Sequence, residues 1–196
     1  MTINPGFQNE FDAGEKWAVA GRTNLKARPA AFEWSKAFIT DDLEDGTLLA
    51  ALIGIPAACT VNGITWIQAT AANATEDNEN RVGLFKVTGP DAATLVASSA
   101  SSATTWTGAA GVRSAAFSTA YEAEPGYYYA ACLTNWSAVV TKPAIDFLTV
   151  RDYASDLGLT SNLILEGSAT GQTTLPASLT LTSLTVTGQA PLLNLY

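Results

Sequence analysis

Residues 125–136 read PGYYYAACLTNW. In an extended chain, alternation sends Tyr127, Tyr129, Ala131 and Leu133 to one face and Tyr128, Ala130 and Cys132 to the other. Both faces are then apolar. Such a strand has to be covered twice, which places it in the middle of a two-layer structure rather than at an edge. The tyrosine rings are expected in the core, with hydroxyls reaching the rim. A solvent-facing row of rings for stacking sugars is the competing reading.

The sequence around this strand is of the same kind. GTLLAALIGIP reads as a mostly buried strand, and CTVNGITWIQATA as a second whose Asn62-Gly63 pair invites a turn or a bulge. TDDLEDG, residues 40–46, reads as an acidic turn and NATEDNENR as a polar loop. RVGLFKV, ATLVASSA and VRSAAFSTAY are further short strands, separated by GPD and by a Ser/Thr-rich loop. In LPASLTLTSLTVTG, Leu179 and Leu181 alternate with threonine, then Leu184 and Val186 continue one residue out of phase. That places a β-bulge or crossing point at Ser183. The apolar APLLNLY that follows is expected to be tied down in a sheet or against a subunit. Short strands with regular turn signals predict an all-β fold: an antiparallel β-sandwich, jelly-roll-like, over residues 41–196.

Residues 1–40 form a separate segment. They combine Pro5, Gly6, Gly14, Gly21 and Pro29 with large aromatics at weak periodicity. A disordered tail would be poor in aromatics, so the segment reads as an extended N-terminal arm. Phe7, Phe11, Trp17, Phe32 and Trp34 are its candidate anchors. Charge divides the chain in the same place. Residues 1–37 hold five basic and four acidic groups, a balance of +1, whereas the remainder holds five basic and fourteen acidic, a balance of −9. The acidic body disfavours nucleic acid. The low charged fraction, 14%, suits a protein that hides surface in an assembly. No apolar run is long enough to span a membrane, and MTINPGFQNEFD lacks the pattern of a signal peptide.

Chemistry is sparse. The chain has no histidine, which removes Ser-His-Asp and Cys-His catalysis and histidine metal sites. GxSxG, P-loop and GxGxxG patterns are absent. Paired carboxylates are all that glycosidases require. The candidates are Asp41, Asp42, Glu44 and Asp45, then Glu76, Asp77 and Glu79, then Glu122 and Glu124. All lie in turn-like sequence and are expected to be solvated. Neither acidic run has EF-hand spacing. No catalytic residue, cofactor or metal ligand is therefore assigned. Cys59 and Cys132 are expected as buried thiols on strands, with a bridge between neighbouring strands left open. Trp106, Tyr128 and Trp136 are expected in the core or at a subunit contact, and they are also the residues to examine for glycan or receptor contact, Trp106 above all because it sits in SSATTWTGAAG.

The run NRVGLFKVTGPDAATLVASSASSATTWTGAAGVRSAAFSTAYEAEPGYYYAACLTNWS resembles the β-sandwich module of minor tail and other virion-surface proteins of tailed bacteriophages, notably those of actinobacteria. The shared features are the RVGLFKV and TLVASSA strands, the isolated Trp106, the SAAFSTAY strand and PGYYYAACL. TGQTTLPASLTLTSL resembles the segment that closes those modules. The likeness covers residues 47–196. It implies a structural role in the virion, exposure on the particle, frequent homotrimers and no catalytic residues. The expectation is a minor tail protein whose arm grips other virion proteins. A capsid decoration protein or head fibre, with the arm on the major capsid protein, is the second expectation. A receptor- or host-glycan-binding module is the third.

Overall fold

The computed structural model describes residues 38–149 and 166–196. The candidate anchors Phe7, Phe11, Trp17, Phe32 and Trp34 lie outside the described residues. Fourteen strands and one short 3₁₀ turn make up the regular structure, with no α-helix among the described residues. Two antiparallel sheets face each other. In the first, β1 (Phe38–Asp42) pairs with β10 (Ala144–Thr149), β10 touches β3 (Cys59–Gln68), and β3 pairs with β7 (Gly111–Ala123). In the second, β2 (Thr47–Ile55) pairs with β8 (Gly126–Thr134), β8 with β5 (Arg81–Gly89), and β5 with β6 (Ala92–Ser98). Reading β1-β10-β3-β7 against β2-β8-β5-β6 gives four nested pairs: β1 with β10, β2 with β8, β3 with β7 and β5 with β6. One long hairpin wrapped across two sheets generates this order, which is the jelly roll that the strand signals led us to expect.

β8 is the PGYYYAACL strand, and it is central, flanked by β2 and β5 along its length. Its alternation is the one read from sequence. Tyr128, Ala130 and Cys132 join the core between the sheets, together with Ile53, Ile64, Trp66, Leu84 and Ile145. Tyr129, Ala131 and Leu133 face outward into a second core with Leu48, Leu52 and Phe85.

That outer face needs its own cover, and the C-terminal segment supplies it. β11 (Glu166–Ala169) pairs with the edge of β2, and β12 (Ser178–Thr180) pairs with β6 at the opposite edge. Between them the chain crosses the face of the sheet. A Cβ added at Gly83 would lie 2.7 Å from Leu175 Cδ2, which shows how closely the crossing segment lies. After the 3₁₀ turn at Leu181–Ser183 the chain returns to bridge Thr185 with Ser168. Leu175, Leu179, Leu181 and Leu184 are buried by this strap, each worth roughly 1.5–3 kcal/mol. The phase break expected as a β-bulge or crossing point at Ser183 is the 3₁₀ turn. Its three residues per turn carry both Leu181 and Leu184 to the same side.

The last residues enter the first sheet. β10 and β3 meet only at Ile145 and Gln68. Into the gap beyond, β13 (Gln189–Pro191) pairs with β10 and β14 (Asn194–Leu195) pairs with β3. The apolar terminus is therefore held in a sheet, with Leu193 and Leu195 in the inter-sheet core. The bulge invited by Asn62-Gly63 is present where the β3–β7 register shifts between Val61 and Gly63. Gly63 is required there, because an added Cβ would lie 2.3 Å from Ala115 O and 2.6 Å from the Tyr196 hydroxyl.

Two boundaries differ from expectation. The acidic turn begins later than TDDLEDG suggests, because Thr40, Asp41 and Asp42 belong to β1, opposite Asp146, Ile145 and Ala144. β1 itself starts at Phe38, so residues 38–40 belong to the sheet. NATEDNENR is also no plain loop. Residues 73–76 form β4 (Asn73–Glu76), paired with β9 (Trp136–Thr141) in a two-stranded ribbon at one end of the sandwich. Backbone pairing at the edges overrides the polar composition of both stretches.

Cys59 and Cys132 are not bridged to one another. Burial pushes the Cys132 thiol up to about 12, so it stays protonated and unreactive in the folded protein. Alkylation of native protein at mildly alkaline pH should leave Cys132 unmodified until denaturant is added, as read by peptide mass spectrometry. Gly63→Ala should cost about 1–3 kcal/mol through overpacking, seen as a lower urea midpoint. An unchanged midpoint would mean that Ala115 and Tyr196 do not press on this position.

Candidate functional site: the loop end of the sandwich

The connections β1–β2, β3–β5, β6–β7 and β8–β10 gather at one end, where hydrogen bonds tie them together. Side chains with chemical potential concentrate there, so this end is the candidate site. Trp106 lies in the β6–β7 connection and is fully buried. Its indole Nε1 donates to Leu133 O at 2.9 Å, and its ring meets Trp66 at 4.8 Å between centroids, tilted by 48°. Its neighbours are gripped from two directions. The Glu76 carboxylate accepts from the backbone N–H groups of Thr105 at 3.1 Å, Trp106 at 2.7 Å and Thr107 at 2.7 Å, and from the Thr107 hydroxyl at 2.9 Å. The Arg113 guanidinium donates to the carbonyls of Thr104, Thr105, Thr107 and Ala109. An anion on the amides and a cation on the carbonyls complement the peptide dipoles of one short loop.

Asn80 and Asn135 make a second knot. Asn80 Nδ2 donates to Asp77 O and Asn135 O, while its Oδ1 accepts from Asn135 N at 2.7 Å. Asn135 Nδ2 donates to Glu79 O at 2.7 Å. Asp45 Oδ1 accepts from Trp136 N, and Glu79 Oε2 accepts from Leu175 N, which fixes the strap to this end. Asn78, in the turn between these groups, is the one non-glycine with positive φ among the described residues, at 46°; asparagine tolerates that region. Buried Glu166 repeats the pattern elsewhere, accepting from Thr187 N, Thr187 Oγ1 and Gly188 N. Three buried side-chain atoms, Trp66 Nε1, Gln68 Oε1 and Arg81 Nε, have no hydrogen-bond partner among the described residues.

Of the carboxylates expected to be solvated, Asp41, Asp42, Glu44, Asp45, Glu122 and Glu124 are exposed, whereas Asp77 and Glu79 are half-buried and Glu76 is buried. Asp45 and Glu79 also bind backbone N–H groups, as does Asp91, which holds Thr182 N at 2.7 Å. A carboxylate saturated by backbone donors is a poor general base, since its lone pairs already point at fixed amides. No three of the described Asp, Glu or Cys side chains group as metal ligands. The three aromatics examined for glycan contact are all interior: Trp106 and Tyr128 at 0% exposure and Trp136 at 7%. Tyr128 donates from its hydroxyl to Glu124 O at 2.9 Å, and burial pushes its phenol up. None of the three offers a ring face to solvent, so the sugar platform considered for these residues is not built. Among the large apolar side chains this end exposes Val139 and Val140 on β9 and Val112 on β7.

No protein-family model matches the chain, and no curated protein sequence matches it. The fold itself is defined: an all-β antiparallel sandwich of jelly-roll connectivity, its outer face closed by a C-terminal strap.

Sequence reading missed Glu76, Asn80 and Glu166 as buried groups. Their acceptor role is set by backbone amides 21 to 55 residues away, and no local pattern signals it. Glu76→Ala should strand three amides, at about 1–3 kcal/mol for each buried donor left unpaired. Hydrogen exchange at residues 105–107 should then accelerate, and Trp fluorescence should shift to the red. Unchanged exchange would mean that the Trp106 loop is held by packing alone.

Proposed function

We propose that this chain is a structural protein of a tailed-phage virion: a surface-exposed minor tail protein, anchored to the particle through its N-terminal segment, with the jelly roll projecting. The resemblance over residues 47–196 supports this reading, since its shared features fall on β5, β6, β7, β8 and the strap that covers them. The observation that carries the most weight is how the polar groups are used. Glu76, Arg113, Asn80, Glu166 and Asp91 all hold backbone, and Trp66, Trp106 and Trp136 are interior. Polar groups committed to holding backbone suit a mechanical part. Under this reading the protein is not an enzyme and needs no cofactor. Its partners are copies of itself in homotrimers and other virion proteins. The aromatics Phe7, Phe11, Trp17, Phe32 and Trp34 contribute the attachment through buried apolar area.

Immunogold electron microscopy of intact particles, with an antibody raised against residues 47–196, tests the location. Label at the tail is expected. Label over the head would instead make the protein a decoration protein or head fibre. No label on any particle would sink the virion reading. A chain lacking residues 1–37, cut just before β1, should keep its strand-rich circular dichroism and lose attachment to particles. Retained attachment would rule out the N-terminal anchor.

A further inference from the structure

Strand β9 is unlike the other strands of the sandwich. Trp136 anchors its start in the core, but Ser137, Ala138, Val139, Val140 and Thr141 are all exposed. Successive strand residues point to opposite faces, so both faces of this stretch meet solvent. One edge of β9 is paired with β4, and no described strand pairs with the other. Val140 is 83% exposed and Val139 37%, two of the four large apolar side chains left exposed by the described residues. Natural sheet edges are protected by lysine, proline or a covering segment; Ser137–Thr141 contains neither residue. A two-stranded ribbon is also marginal on its own.

Charge identifies the occupant. The chain carries a net charge of −8, so two copies repel over most of their surface. The ribbon, like residues 114–120 of β7, carries no such charge. The accessible side chains of β4, Asn73, Ala74 and Thr75, are uncharged, as are all five of β9 after Trp136. Lys142, which follows, is neutralised by Glu44 at 2.6 Å. Two copies can therefore approach here without opposing carboxylates.

We propose that β9 is an interface between copies of this chain, pairing antiparallel with β9 of a second copy and joining two ribbons into one four-stranded sheet. A two-fold contact centred on Val139 sets that residue against its own symmetry mate. Ala138 then faces Val140 of the second copy, and Ser137 faces Thr141. Small side chains oppose β-branched ones, and no like charges meet. This inference stands independently of the virion reading, and it is distinct from threefold assembly.

Sedimentation velocity on the full chain over a wide concentration range tests it. The expected species is even-numbered: a dimer, or a pair of trimers. Val140→Lys should halve it, to monomer or trimer, with an unchanged thermal melt. Val140 occurs twice in the contact and the added lysines oppose apolar partners, so association should weaken about tenfold or more. Val139→Cys should form an intermolecular disulfide on mild oxidation, absent from wild type, because directly opposed strand residues lie within bridging distance. A wild-type chain that stays monomeric or trimeric overturns the proposal, as does a Val140→Lys variant that associates like wild type. Self-association without capture by Val139→Cys overturns the antiparallel β9 pairing.

Discussion

A strand that is apolar on both faces cannot be finished by one partner sheet. That constraint, set by β8, organises the molecule. One face of β8 requires the opposing sheet, which buries Tyr128, Ala130 and Cys132. The other face requires something else, and the strap of residues 170–185 fills that role with four leucines over Tyr129, Ala131 and Leu133. The sandwich therefore has two cores sharing one sheet. Removing the strap would leave a continuous apolar surface across β2, β8 and β5, larger than a soluble protein tolerates.

Polar groups are placed by the same logic. The loops at the candidate end are too short and irregular to pair all their amides with one another. Carboxylates and amides distant in the chain satisfy them instead: Glu76 for residues 105–107, Asn80 for Asn135, Asp45 for Trp136. A buried charge is tolerable because fixed donors replace its water. The acidic composition of the body is thus partly structural, and net charge alone misstates how much of it faces solvent.

Much of the fold was legible because the strands that matter are long, alternating and bounded by turn residues. The faces of PGYYYAACL, the buried β2, the bulge at Gly63 and the anchored terminus follow from local pattern. Failures fell where long-range pairing overrode local polarity. Thr40–Asp42 became an edge strand because β10 supplied a partner, and residues 73–76 became β4 because β9 did. Trp106 is in the core, the leading expectation for it, but its partners Trp66, Leu133 and Glu76 are distant in the chain and were not legible. For the candidate site, sequence named the residue types and missed their use. Periodicity reports which side of an element is buried, but not which carboxylate meets which amide.

The nested pairing of the jelly roll also has a kinetic consequence. Only β5 and β6 are close in sequence. β3 must find β7, β2 must find β8, and β1 must find β10, where Phe38 lies opposite Leu148. Loop-closure entropy grows with each outer pair unless the inner pair has already brought its strands together. Folding is therefore favoured from the β5–β6 hairpin outward, at the slow end of the range for domains of this size. β1 is the last strand of the series to gain its partner, so the strand that follows residues 1–37 is fastened only after the rest of the sandwich exists.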